Sequence, residues 1–200
     1  MMNRKSKTVI FTIVLGVITI SSISWYKIAD QKITYQSIDA KQVSFKTVDE
    51  MINFSELIIT GEPLESENFV TFDENGYTED AYTVTKIKIN KVLENKSGNE
   101  YNEGDVIKVA EPTYVFDNGI KPGKTIYAIN EYQLMNKNNE YMLLLTQDVK
   151  YDDLYVISGV NEGKQNIDVS GNDGEKTGVP QEEKNYEFKE ELKAQFGITD

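Results

Sequence analysis

Residues 81–112 read AYTVTKIKINKVLENKSGNEYNEGDVIKVAEP, and this stretch decides the fold class. Its β-branched and aromatic residues fall in two runs, Tyr82–Leu93 and Val106–Val109. Between them Asn95, Ser97, Gly98, Asn99 and Gly104 supply turn chemistry. The pattern predicts a long strand, a polar connection and a returning strand. The long strand changes phase: Tyr82 and Val84 share one face, while Ile87, Ile89 and Leu93 share the other. A one-residue slip near Thr85-Lys86 therefore predicts a β-bulge, which lets a long strand bend and serve two sheets.

Upstream, Thr47-x-x-Glu50 has the form of a capping box, with helical spacing of Val48, Met51 and Ile52 behind it. A short helix over Val48–Phe54 follows. Leu57–Thr60 reads as a buried strand ended by Gly61 and Pro63, and Phe69–Phe72 continues as a strand before the turn Asp73-Glu74-Asn75-Gly76. Downstream, Tyr141–Thr146 (YMLLLT) is an unbroken apolar run, expected to be a central strand buried on both faces. Tyr155–Ser158 and Asn166–Val169 flank the turn Asn161-Glu162-Gly163. Seven or eight short strands at this spacing predict a mainly β barrel or sandwich spanning residues 47–170. After the flexible break Gly171–Gly178, Glu182–Phe196 reads as a helix, with Phe188, Leu192 and Phe196 on one face and Gly197 as its stop. Residues 171–200 thus form a break plus a C-terminal helix. Whether that helix docks is open at this level.

The start of the chain has a different character. Residues 1–7 are a basic head, and Thr8–Tyr26 is an uncharged run of 19 residues closed by Trp25 and Tyr26. That length suits a transmembrane helix with an interfacial aromatic pair. The alternative is a cleavable signal peptide, with Val9–Ile20 as its apolar region and Ser22-x-Ser24 as the small-residue site. Residues 1–29 hold Arg4, Lys5, Lys7 and Lys27 and no acidic residue, whereas residues 30–200 hold 17 basic and 33 acidic ones. A basic start ahead of an acidic remainder fits export, with the bulk of the chain outside the membrane and single-pass, or secreted after cleavage. Residues 27–46 then read as an extracytoplasmic tether able to lend an edge strand.

Composition narrows the chemistry. The chain has no histidine and no cysteine, so no Ser-His or Cys-His pair, thiolate zinc site or disulfide can form. A net charge of −12 argues against nucleic acid as a partner. The acidic clusters Asp73–Asp80, Asp148–Asp153 and Asp168–Glu175 do not fit an EF-hand loop and read as solvated turns. No phosphate loop or Ser-x-x-Lys is present, and no catalytic residue, cofactor or metal is expected. The aromatics Tyr114, Phe116, Tyr127 and Tyr132 gather in the excursion Thr113–Tyr132, and they are the candidate partner-binding residues. The competing reading is that they plug the ends of a barrel.

The segments SELIITGE, TVTKIKINKVLE, GDVIKVAEP, NNEYMLLLT and YVISGVNEGKQNIDV together resemble exported or membrane-anchored Gram-positive bacterial proteins that carry an OB-like β-barrel domain. The resemblance covers roughly residues 48–169. It implies a small closed or partly open OB-like barrel, with a transmembrane helix and a short helix before it and a helix after it, in an extracytoplasmic compartment. It implies no activity. The expectation is a non-catalytic binding module engaging a cell-surface protein or a wall polymer. The alternative is a carboxylate- or metal-dependent hydrolase.

Overall fold

The computed structural model describes residues 25–27, 29–119, 121–168 and 181–198. The basic head, the apolar run as far as Ser24 and the break Gly171–Gly178 lie outside the described residues. Among the described residues no helix is long and apolar enough to cross a membrane. The chain is mainly β. Its strands are β1 (Ile33–Ile38), β2 (Leu57–Phe72), β3 (Thr78–Asn95), β4 (Val106–Glu111), β5 (Thr113–Asp117), β6 (Lys124–Ile129), β7 (Tyr141–Gln147), β8 (Leu154–Ile157) and β9 (Lys164–Asn166). The helices are α1 (Val48–Phe54) and α2 (Gln181–Phe196).

The chain divides into two compact units. The smaller holds the residues before Ser37 together with Val115–Tyr127. It holds most of a sheet of order β1-β6-β5, so the segment read as a tether does contribute an edge strand. The larger unit holds Ser37–Tyr114 and the chain from Ala128 onward.

In the larger unit the strand order is β2-β3-β4-β8-β7-β9, and β2 also pairs with β7. The pairings β2-β3-β4-β8-β7-β2 therefore close a ring of five strands, with β9 added outside β7. Every pairing in the ring is antiparallel except β4 with β8. Two strands carry the packing. In β7, Tyr141, Leu143 and Leu145 point into one apolar cluster and Met142 and Leu144 into another. In β2, Leu57 and Ile59 join the first cluster and Ile58 the second. Alternation thus places both strands between two cores, which is why YMLLLT carries no polar position. The first cluster adds Ile87, Ile89, Ile107 and Val109; the second lies under the helices, with Met51, Phe188 and Leu192. Burying each such side chain contributes about 1.5–3 kcal/mol.

Helix α1 begins as its capping sequence predicts. Thr47 Oγ1 accepts from Glu50 N at 3.2 Å, while Glu50 Oε2 accepts from Lys46 N at 2.8 Å, one residue before the cap. Helix α2 docks, settling the question the sequence leaves open: Phe188 and Leu192 are buried in the second cluster and Phe196 packs against it. Its end is a Schellman motif. Ile198 N donates to Lys193 O at 2.9 Å and Gly197 N to Ala194 O at 3.4 Å, with Gly197 at φ +62°.

Three strand readings need correction. Leu57–Thr60 and Phe69–Phe72 are the ends of one 16-residue strand, β2. Pro63 is tolerated because β7 pairs only as far as Gly61, and beyond it β2 is an edge that needs no donor on that side. The ring-building strand β3 does not change phase at Thr85-Lys86: Thr83, Thr85, Ile87 and Ile89 are all buried on one face. The irregularity there falls on β2, where Leu64 and Glu65 stand opposite Lys86. The extra residues in β3 come later, at Asn90 and Leu93, so Val92 faces the first cluster and Leu93 the second. Finally, nine strands are present among the described residues, because the excursion Thr113–Tyr132 contributes β5 and β6.

Candidate binding surface

The side of β3 turned away from the first cluster carries Tyr82, Val84 and Lys86 at alternate positions. With Glu65, Glu67 and Phe69 of β2, Lys108 of β4 and Tyr151, Asp153 and Leu154 beyond β7, they line an open groove of about 510 Å³. It lies wholly within the larger unit. Its walls come from β2, β3 and β4, from the β7–β8 connection and from Leu154 at the start of β8.

One end of the groove is aromatic. Phe69 and Tyr82 are directly opposed across β2 and β3, with ring centroids 4.7 Å apart and an interplanar angle of 26°. Tyr151 meets Phe69 edge-on at 6.4 Å. All three rings are half-buried. Tyr151 is placed by its own turn: Asp148 Oδ1 accepts from Lys150 N at 2.7 Å and from Tyr151 N at 3.0 Å. Lys150 Nζ then reaches Asp80 Oδ2 at 2.6 Å and lies 5.4 Å from the Tyr151 ring centre. Burial, ahead of the neighbouring Tyr151 and carboxylates, raises the Tyr82 phenol above its usual range.

The rest of the lining holds two charge pairs beside Ser66, Glu67, Val84 and Leu154. Lys86 Nζ meets Glu65 Oε1 at 2.5 Å, and Lys108 Nζ meets Asp153 Oδ2 at 2.6 Å. The hydrogen bond from Lys86 holds the Glu65 carboxyl below its ordinary range, and that from Lys108 does the same for Asp153. Both carboxylates stay ionised at neutral pH. Both pairs are exposed, so they contribute little to stability, and what they offer is a fixed array of donors and acceptors.

Glu111 is a carboxyl whose affinity for protons is raised, and it faces inward. Burial is the main cause, opposed by bonds from Thr85 Oγ1, Tyr132 OH (2.8 Å) and Met135 N (2.8 Å). It is fully enclosed.

The four aromatics singled out from the sequence are divided between the two units. Tyr132 is 3% exposed and belongs to the first cluster, so it is not a surface residue. Tyr114, half-buried, lies in the larger unit. Phe116 and Tyr127 belong to the smaller unit, where their rings meet edge-on at 6.5 Å. Two of the acidic clusters are turns whose lead carboxylates accept backbone amides: Asp73 Oδ1 from Asn75 N (2.9 Å) and Tyr77 N (2.7 Å), and Asp148 as above. The third runs beyond the described residues. Among the described residues no group of three or more acidic side chains converges as a metal site would require.

The groove was not singled out from the sequence. Its signal lay in Tyr82-x-Val84-x-Lys86, an alternating set opposite in phase to the buried threonines and isoleucines. No protein-family model matches the chain, and no curated protein matches it either.

Proposed function

We propose that this protein is a non-catalytic, extracytoplasmic binding module, held at the bacterial cell membrane by residues 8–26, whose ligand face is the groove across β2, β3 and β4. On this reading the five-strand ring is an OB-like barrel. Support comes from the ring order with its single parallel pair, which suits a five-strand Greek key, and from the position of the groove. In such barrels the central strands and the connections between strands carry the ligand.

The observation that carries the functional reading is the Phe69–Tyr82–Tyr151 platform beside two balanced ion pairs. Aromatic faces stack on the C–H faces of sugar rings, and fixed lysines and carboxylates hydrogen-bond hydroxyls. The lining lysines are already paired, which disfavours a polyanion. A sugar-rich wall polymer is the partner this chemistry suits. Hydrolysis is disfavoured because a carboxylate-pair mechanism needs one carboxylic acid kept protonated, and the pairing at Glu65 and Asp153 acts the other way.

The test is co-sedimentation with purified Gram-positive cell-wall sacculi. The intact chain is expected to sediment, and Tyr151→Ser to weaken this about tenfold with an unchanged circular dichroism spectrum. Equal sedimentation of the two proteins, or none by the intact chain, overturns the reading.

A further inference from the structure

The smaller unit differs from the rest of the protein in charge and in surface. Among its described residues stand Lys27, Lys32, Lys121 and Lys124, against only Asp30 and Asp117. All four lysines are exposed, and none is in an ion pair among the described residues. Both carboxylates are engaged by backbone amides: Asp30 Oδ1 accepts from Gly123 N at 3.1 Å and Asp117 Oδ1 from Gly119 N at 2.9 Å. The larger unit has the opposite balance, 14 basic residues against 31 acidic ones over its full sequence.

Exposed apolar side chains concentrate in the same small unit. Trp25 (67%), Tyr26 (42%), Ile33 (52%) and Tyr35 (76%) fall within eleven residues. Isolated exposed apolar residues need no explanation, but a cluster of aromatics on a basic unit does. Strand β1 (ITYQSI) is an edge strand, all six of its residues are exposed and none is charged. Natural edge strands are normally guarded by charge, proline or a cover. Here the cover has to accept tryptophan, tyrosine and isoleucine next to unpaired lysines.

We infer that the β1-β6-β5 sheet is a peripheral membrane contact, whose partner is an anionic lipid surface. Trp25, Tyr26 and Tyr35 lie at the headgroup level, where amphipathic rings are favoured, and the four lysines meet lipid phosphates. The sequence continuity supports this surface over other partners: the 19-residue apolar run ends at Tyr26, seven residues before β1 begins. The inference draws on the membrane reading of residues 8–26 for that proximity, and its test keeps the two apart.

The full chain is incubated with vesicles of phosphatidylcholine alone, or of equal parts phosphatidylglycerol and phosphatidylcholine, and with detergent as reference. Amide exchange is read over residues 29–38 and 115–127, and carbonate-resistant flotation is scored separately. Exchange in both segments is expected to slow about tenfold on the anionic vesicles relative to detergent, and less on neutral ones. Replacing Lys27, Lys32, Lys121 and Lys124 together by Gln should remove the difference between lipids, while exchange in β2 and β7 stays unchanged. Flotation without protection overturns the inference and leaves the anchor standing. Protection without carbonate-resistant flotation supports the inference and removes the anchor. Protection indifferent to lipid charge, or protection in detergent that grows with protein concentration and so marks a second copy, overturns it.

Discussion

The phenolic hydroxyl of Tyr132 donates to Glu111 Oε2 at 2.8 Å, and Met135 N donates to the same oxygen at 2.8 Å. Thr85 of β3 donates to the other oxygen. One buried carboxylate on β4 thus ties the segment after β6 to the inside of the ring. Because burial raises its proton affinity, the folded protein binds this proton at a higher pH than the unfolded chain does. Between those two values the folded state holds more protons, so stability rises as pH falls through the window and is lost as pH rises through it. Urea unfolding at neutral pH and again close to the ordinary glutamate value of 4.5 should show this gain in the intact chain. Glu111→Gln keeps one oxygen that can accept from Tyr132 OH and Met135 N, places an amide NH2 donor toward the Thr85 hydroxyl and removes the titration, so it should flatten the dependence. Glu111→Leu strands Tyr132 OH and Met135 N and should cost about 2–4 kcal/mol at either pH. An unchanged slope in the glutamine variant would refute the assignment.

Gly61 is required by its neighbours. A Cβ there would sit 2.6 Å from Lys88 O and 2.7 Å from Ile87 Cγ2, in a strand paired on both sides with Ile89 and Tyr141. Backbone cannot move aside as a flexible side chain does. Gly61→Ala should therefore cost about 1–3 kcal/mol in denaturant midpoint, with no change in slope. A loss within ~0.5 kcal/mol would show that the ring yields at this point.

These two sites also mark what could be read from residues alone. Helix α1, the burial of YMLLLT on both faces, the β3–β4 return and the Asn75-Gly76 turn follow from local patterns, since periodicity and turn chemistry act over a few residues. The bulge was legible as an irregularity but was assigned to the wrong strand. Thr83 and Thr85 are polar yet buried, because their hydroxyls donate to Thr113 O and Glu111, partners 26 or more residues away. Alternation therefore looked broken where the backbone is regular. The groove was missed for a related reason: Phe69 and Tyr82 meet only through pairing register, and Tyr151 arrives from a connection 69 residues beyond Tyr82.

Helix α2 contributes to the second core through few residues, which makes its docking easy to test. Leu192 is fully buried beside Met51 of α1 and Met142 and Leu144 of β7. Leu192→Ala should cost about 2–4 kcal/mol, the transfer term plus the cavity left behind. Gly197→Ala places a Cβ at φ +62° in the Schellman cap and should cost about 1 kcal/mol. If Leu192→Ala leaves the unfolding midpoint unmoved, the helix is not part of the cooperative fold.

The last prediction separates stability from binding at the groove. Phe69 and Tyr82 are a directly opposed cross-strand pair in stacked contact, at a place where β2 has no strand on its other side. A double-mutant cycle with Phe69→Ala and Tyr82→Ala should return a coupling of roughly 0.5–1.5 kcal/mol, the range for aromatic pairs beyond simple burial. Tyr151 touches this pair only edge-on and is held by the Asp148 turn, so Tyr151→Ser should cost less than ~1 kcal/mol in stability. If the three rings form a ligand platform, loss of sacculus binding should be as large for Tyr151→Ser as for Tyr82→Ala, although their stability costs differ. Binding losses that instead track the stability losses would make these rings a structural clasp on the β2–β3 ribbon, and the platform would be abandoned.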